Sequence, residues 1–370
     1  MRVAFVLFRY FAFGGMQRDM LAAALECAGR GHEVTVFCYR WEGVRPEGIE
    51  VEVIAVAGSA NHVRARRFDE ALQRRLRAGR PDAVIGFDKV RGLDLYFAAD
   101  PCFVARTADR VGLYRLLPRY RTFRRLEQAV FGEGSVARIL LLQPDEQSNF
   151  QRVWQTEGKR FLVLPPGIAR DRCRGSDADE LRRSGRQEFG VGADDRLLLL
   201  LGANFRLKGL ERAMRLLAAL PPELRRGTRL LAVGQEPPPW ARKLAHTLGI
   251  EGNVTMLAGR PDVPRLLQAA DLLIHPAYRD NTGTVLLEAV VAGLPVLCTD
   301  TCGYAHHIAK ANCGAVIAAW DRGTEASSWL VDYLRSDTTN LRANALRYAG
   351  QHDLHGMHEQ ICREIEAVVR

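Results

Sequence analysis

Lysine is scarce in this chain. Of 52 basic residues only Lys89, Lys159, Lys208, Lys243 and Lys310 are lysines; the rest are arginines, and against 43 acids the formal net charge is +9. Basicity spread over so many arginines says little by itself, so its distribution matters more. No run approaches the roughly 18 apolar residues that would cross a bilayer. Val3–Phe8, broken by Arg9, is too short for the core of a signal peptide. The eight cysteines lack C-x-x-C spacing and have no histidines in zinc order, and several sit in apolar runs as small hydrophobes. A reduced, cytoplasmic protein is expected. The D-x-D at Asp177 and Asp179 lies in Gly-Ser-Asp-Ala-Asp-Glu-Leu-Arg-Arg, which reads as the capped start of an exposed helix. No metal site is therefore expected, and no cofactor.

At 370 residues the chain is too long for one hydrophobic core, so two domains are the default. Short apolar runs alternate with helical patterns almost throughout. The first half offers strands at Val3–Phe8, Val34–Cys38, Val51–Val56, Ala83–Phe87, Ile139–Leu142 and Phe161–Leu164. Helices are expected at Gly15–Ala28, Arg64–Ala78 and Pro144–Trp154. Pro165-Pro166-Gly167 interrupts the pattern as a hinge. Strands resume at Leu197–Leu201, Leu230–Val233, Val254–Leu257, Leu272–His275, Val296–Cys298 and Ala315–Ile317. Such alternation predicts an α/β protein of two doubly wound parallel sheets, residues 1–165 and 166–353, facing a cleft. Ligands of these folds bind beyond the carboxyl ends of the strands.

The most informative stretch is Thr282–Leu297, where Glu288 is the single charged residue. An ionised carboxylate in an apolar helix is costly unless something pairs with it. The small first turn, Thr282-Gly283-Thr284, offers backbone N–H groups to an anion. Donors for a phosphate beside a carboxylate for hydroxyls suit a sugar nucleotide. Arg206 and Lys208 follow Leu197–Leu201 and could meet a diphosphate, although for any arginine here a solvated loop charge is the simpler reading. Arg260 follows the strand ending at Leu257. Gly14-Gly15 permits either a plain turn or close approach to a ligand. Asp100 either faces an acceptor hydroxyl or caps a turn. Arg172 follows the hinge, and His306 and His307 read as packing residues.

Residues 101–130 carry seven arginines (106, 110, 115, 119, 121, 124 and 125) against Asp109 and Glu127, interleaved with leucine, tyrosine and phenylalanine. That composition fits an anionic membrane surface, where each basic group contributes about 1 kcal/mol. No nucleic-acid motif accompanies the segment, so nucleic acid is not the expected partner. Arg64–Arg80 is a second basic run and reads as a solvated helix face.

Several motifs occur in order: Phe13-Gly-Gly-Met-Gln-Arg-Asp, Phe97-Ala-Ala-Asp, Leu164-Pro-Pro-Gly-Ile, Phe205-Arg-Leu-Lys-Gly, His275-Pro-Ala-Tyr and Cys302-Gly-Tyr-Ala-His. In these the chain resembles retaining GT-B glycosyltransferases, and closely the lipopolysaccharide core glucosyltransferase I family. The resemblance implies two Rossmann-like domains, with a C-terminal helix (354–370) returning to the first. It places the family's E-x7-E on Asp280 and Glu288, the first for donor-sugar hydroxyls and the second for the ribose of UDP. Lys208 and Arg172 match diphosphate-binding cations, Gly15 and Asp19 the glycine-loop region, and Asp100 an active-site acid. Asp280 stands where Glu is usual, Asn281 and Thr282 where small residues are common, and Leu207 where Arg is frequent. These departures bear on the donor sugar.

The implied activity is metal-independent, retaining transfer of a hexose, glucose favoured, from a UDP-sugar to an inner-core heptose of lipopolysaccharide. The enzyme would work peripherally on the inner face of the inner membrane, and the UDP-sugar is a substrate rather than a cofactor. UDP-N-acetylgalactosamine is the alternative donor. A UDP-sugar epimerase or phosphorylase, or a non-catalytic membrane-associated assembly scaffold, are the alternative classes. Changing Glu288 or Lys208 to Ala is expected to suppress transfer with little unfolding.

Overall fold

The computed structural model describes residues 1–11, 14–110, 112–318, 320 and 323–368. Phe13 of the first family motif, Val111 of the basic segment and residues 369 and 370 of the C-terminal span lie outside the described residues.

Five consecutive leucines, Leu197–Leu201, cannot all point to one side of a strand, because successive side chains alternate. Leu197, Leu199 and Leu201 join one buried cluster, and Leu198 and Leu200 join another. The first strand behaves alike, with Val3 and Phe5 on one face and Ala4 and Val6 on the other. Strands buried on both faces are what a parallel sheet covered by helices requires. Each fully buried leucine contributes about 1.5–3 kcal/mol.

Internal contacts divide the chain into two compact units. One comprises Met1–Gly167 with Gly356–Arg370, the other Ile168–His355. The first unit holds strands β1 (Arg2–Val6), β2 (Glu33–Cys38), β3 (Glu50–Val53), β4 (Ala83–Gly86), β5 (Leu95–Ala98), β6 (Arg138–Leu141) and β7 (Phe161–Val163). They form one parallel sheet in the order β3-β2-β1-β4-β5-β6-β7. The second unit holds β8 (Arg196–Leu201), β9 (Thr228–Gly234), β10 (Val254–Ala258), β11 (Leu272–His275), β12 (Val296–Thr299) and β13 (Gly314–Ile317), in the order β10-β9-β8-β11-β12-β13, again all parallel. In each sheet the winding reverses beside its first strand, between β1 and β4 and between β8 and β11. Crevices outside the strand ends at such reversals are where open α/β sheets take ligands.

Strand β5 was not expected from the sequence. Its four residues, Leu95-Tyr-Phe-Ala, are too few for periodicity to distinguish a buried strand from part of a helix. The first-unit helix expected from Arg64 begins three residues earlier, at Asn61. The C-terminal helix, Met357–Val368, places Met357, Ile361 and Ile365 at fourfold spacing. They share a core with Met20, Ala23 and Ala24 of the Gly15–Gly29 helix.

Candidate active site

Beyond β8 and β11 the second unit gathers charge where burial would ordinarily exclude it. Lys208 Nζ lies 2.6 Å from Asp280 Oδ2, and His275 Nε2 lies 2.9 Å from the same oxygen. His275, the last residue of β11, is fully buried. Burial pushes the Asp280 carboxyl up, but the His275 hydrogen bond and the charge of Lys208 outweigh it and hold the group at about 2. Asp280 is thus an anion at any working pH. Backbone bonds fix it: the Asp280 N–H donates to the Thr301 carbonyl at 3.1 Å, and the Gly303 N–H donates to the Asp280 carbonyl at 3.2 Å. Lys208 is placed by Gly209, whose φ is +80° and where a Cβ would fall 2.0 Å from the Pro276 carbonyl oxygen. Only glycine fits that approach.

Three residues past Asp280, Gly283 caps the helix Thr284–Val291 with φ +73°, in the left-handed region. The helix therefore starts beside Asp280, with its first N–H groups at that end. One turn inside, Glu288 is buried, with its Oε1 3.6 Å from Arg172 Nε. Arg172 is itself buried and also bonds Asp171 at 2.9 Å. At 3.6 Å the contact to Glu288 is electrostatic rather than a hydrogen bond, and the buried Nε of Arg172 has no hydrogen-bond partner among the described residues. The lone acid of the apolar helix is thus met by the arginine that follows the hinge.

His275, Asp280 and Cys302 present donor atoms close enough for a metal ion. The chemistry disfavours one there, because the Lys208 ammonium already sits on the Asp280 oxygen. Asp177 and Asp179 bracket the start of the helix Ala178–Glu188, and Asp179 pairs with Arg174 at 2.9 Å.

Other residues singled out from the sequence fall around or apart from this cluster. Asn281 and Thr282 are half-buried beside Asp280, and Thr282 Oγ1 lies 3.2 Å from Thr284 Oγ1. Arg206 rests on the Trp240 ring, 4.5 Å from its centroid, and lines an open pocket with Asn204, Leu207, Glu211 and Tyr278. Arg260 is engaged elsewhere: it bonds Asp262 and Glu188, each at 2.8 Å, in a network shared with Arg265. His307 bonds the Tyr348 hydroxyl at 2.7 Å, and burial with His306 beside it lowers its imidazole to about 4.

In the first unit the strand ends β1, β4 and β5 surround a pocket of about 210 Å³. Phe8, Asn61, Asp88, Tyr96, Asp100 and Arg119 are among its walls. Asp88 is half-buried, opening into the pocket, and accepts a 2.6 Å bond from the Phe8 N–H. Burial, reinforced by the neighbouring Asp100 charge, pushes its acid up to about 7. Gly14 precedes the Gly15–Gly29 helix, and a Cβ there would meet the Gln17 side chain, whereas at Gly15 nothing lies within 4 Å. Asp19 lies 3.4 Å from His358 Nε2 of the C-terminal helix. Sequence reasoning passed over Asp88 and His275 as site residues. A polar residue at the end of an apolar strand, or just beyond it, was the available signal in both cases.

All seven arginines of residues 101–130 are exposed, as are Leu113, Leu116 and Leu117. Glu127 is fully buried in the helix Pro118–Phe131. There it binds Lys89 Nζ at 2.6 Å and accepts bonds from Phe103 N–H (2.7 Å) and Trp154 Nε1–H (3.1 Å). The acid that partly offset the arginines in the sequence is withdrawn from the surface. The exposed segment is therefore more basic than its composition.

Comparison with known proteins agrees with this architecture. Residues 13–172 match the model of Glycosyltransferase Family 4, and residues 182–352 that of Glycosyl transferases group 1. The crystal structure of Anabaena HepE, solved with UDP and glucose, superposes with a TM-score of 0.75 at 17% identity, covering 99% of this chain and 100% of that one. The protein is a sugar-transferring enzyme with the GT-B fold. Its likeness to the Escherichia coli K12 lipopolysaccharide glucosyltransferase WaaG is much closer: 42% identity over 363 residues, 97% of each chain. A crystal structure of WaaG, described as a glycosyltransferase involved in lipopolysaccharide biosynthesis, superposes with a TM-score of 0.93 over 98% of this chain and 99% of that one. The chain belongs to that lipopolysaccharide glucosyltransferase family.

Proposed function

We propose that this enzyme moves glucose from UDP-glucose to a heptose of the lipopolysaccharide inner core, with retention at the anomeric carbon and without a catalytic metal. The observation that carries the reading is the Lys208–Asp280–His275 cluster beside the Gly283 helix start. A nucleotide sugar presents both a diphosphate and hydroxyls, so it satisfies Lys208 and Asp280 together when it replaces their mutual contact. The diphosphate meets Lys208, Arg172 and the helix N–H groups, which spread its charge as the sugar departs. Asp280 accepts from the sugar hydroxyls and Glu288 from the ribose. The acceptor hydroxyl attacks from the face the diphosphate leaves and passes its proton to that leaving group, so positioning and charge stabilisation do the catalytic work. We place the acceptor at the first-unit pocket of Asp88 and Asp100, whose carboxyl groups suit sugar hydroxyls.

The exposed arginines and leucines of residues 101–130 support attachment to the anionic inner face of the inner membrane. Half-buried Asn281 beside Asp280 favours a second donor, UDP-N-acetylgalactosamine, since its amide could bond an N-acetyl group. Incubating the protein with a panel of UDP-sugars and heptose-terminated lipopolysaccharide, in chelator, with products weighed by mass spectrometry, decides among these. A glucose adduct formed in chelator supports the reading, and an N-acetylhexosamine adduct the second donor. Turnover that requires added magnesium or manganese, or consumption of donor without an adduct, overturns it.

A further inference from the structure

Four residues from opposite ends of the chain meet in the first unit, outside the groups assigned to sugar transfer. Cys27 lies near the end of the Gly15–Gly29 helix, and His32 follows it by five residues. Cys362 and Glu366 stand one turn apart on the C-terminal helix, so they share a face. His32 Nε2 is 3.1 Å from Glu366 Oε1, and Cys362 Sγ is 3.9 Å from the same oxygen. The donor atoms of His32, Cys362 and Glu366 all lie within 4.8 Å of one another. Cys27 Sγ approaches Cys362 Sγ to 2.9 Å and donates to it. Both sulfurs belong to buried residues, while His32 and Glu366 are half-buried.

We propose that His32, Cys362 and Glu366 bind a zinc ion, with the Cys27 thiol hydrogen-bonded to the ligating sulfur. Zinc bonds sulfur at about 2.3 Å, imidazole nitrogen at about 2.0–2.1 Å and carboxylate oxygen at about 2.0–2.2 Å, which sets neighbouring donors roughly 3.3–3.6 Å apart in a tetrahedral shell. The Nε2–Oε1 and Sγ–Oε1 separations, 3.1 and 3.9 Å, bracket that spacing. A thiolate with an imidazole excludes magnesium and calcium, which prefer oxygen alone, and suits zinc. One thiolate and one carboxylate neutralise the dication. Arg30 stands beside the site, 3.5 Å from Glu366, but is also held by Glu26 at 2.9 Å and Glu359 at 3.7 Å. Those two acids give its charge somewhere to rest when the metal takes Glu366. The fourth position is open to water or, after a small rotation, to Cys27. A sulfur donating to the bound thiolate is the kind of outer contact that tunes zinc affinity. The ion fastens the C-terminal helix to the Gly15–Gly29 helix, so its binding appears as folding stability rather than as catalysis.

The test uses the full chain and does not read sugar transfer. Protein desalted after exposure to zinc is weighed for metal by elemental mass spectrometry, and chelator-stripped protein is titrated with cobalt(II). One zinc per chain is expected. The cobalt form should show the visible bands of a tetrahedral thiolate site, and chelator should lower a Tm that zinc restores. Cys362→Ser should abolish the bands, and Cys27→Ser should weaken zinc binding by about 10- to 100-fold. Should Cys362→Ser misfold, His32→Ala and Glu366→Gln, which alter half-buried positions, must each lose the metal. Failure to bind zinc, binding undiminished in these variants, or a Cys27–Cys362 disulfide in freshly prepared protein overturns the proposal.

Discussion

Single side chains carry most of the site's chemistry, and four side chains set measurable outcomes. Removing the Lys208 ammonium should lower kcat/KM by about 10²- to 10³-fold, the usual cost of one charge-stabilising donor. Lys208→Ala leaves the Asp280 carboxylate with its His275 bond alone, so urea unfolding should also show a loss of about 1–3 kcal/mol. Glu288 also differs from what the sequence led us to expect. Arg172 is packed against it in a buried pair, so Glu288→Ala leaves that arginine with Asp171 alone and should destabilise the second unit by about 1–3 kcal/mol. Glu288→Gln, which keeps shape and polarity, is the cleaner probe and should depress transfer with the smaller loss of stability. Two shifted groups predict opposite responses to acid. His307 titrates at about 4 in the fold, against roughly 6.5 when unfolded. Between those values the unfolded chain takes up a proton that the fold refuses, so this contribution is lost as pH falls through the window. Asp88 titrates at about 7 in the fold, against roughly 3.9 unfolded. There the fold holds the extra proton, and stability is gained as pH falls from 7 towards 4. Comparing urea midpoints at pH 7 and 4.5, His307→Gln should lose less than the parent, and Asp88→Asn should gain less.

Among the elements, helix starts and the loops before them decide what the strand ends can bind. Gly283→Ala places a side chain at φ +73° with Leu286 and Cys302 atoms 3.2 and 3.3 Å from the new Cβ. A cost of about 1–3 kcal/mol follows from the backbone alone. The tilt given to the Thr284–Val291 helix should raise KM for the donor, by isothermal titration or steady-state kinetics. Gly15→Ala makes a useful contrast, since the position is open and opens a helix, where alanine is favoured. Its Tm should hold or rise. Loss of activity with that Tm intact would reveal a ligand close to the backbone, and full activity would remove Gly15 from the site. Strand and helix positions were largely legible in the sequence, because all-leucine Leu197–Leu201 or the run before Gly293 could be little else. Strand β5 was not, being four residues long. The pairing of Glu288 with Arg172, the His275 bond to Asp280 and the diversion of Arg260 to Glu188 and Asp262 were not legible either. Each depends on how a loop or helix is turned in the fold, which residue types and spacing alone do not set.

For the whole molecule, the exposed arginines of residues 101–130 predict binding to an anionic membrane surface. Changing Arg119, Arg121, Arg124 and Arg125 to Glu should abolish salt-sensitive sedimentation with anionic vesicles, each basic group being worth about 1 kcal/mol at such a surface. Neutral vesicles should bind neither form, and equal binding of both forms to anionic vesicles would refute membrane attachment by this segment. The sequence by itself determined the class of this protein: two parallel doubly wound sheets, loops rich in polar residues at their carboxyl ends, and an acid alone in an apolar helix. Those follow from local rules, namely alternation of side chains, helix periodicity and the cost of burying charge. Only the tertiary structure decided which charges answer one another. It set Lys208 and His275 on Asp280, buried Glu127 beneath a surface it had seemed to neutralise, and brought Cys27 and His32 against Cys362 and Glu366 from the far end of the chain. Such contacts, whether across a loop or between opposite ends of the chain, depend on how whole sheets and helices pack, and no short-range pattern encodes them.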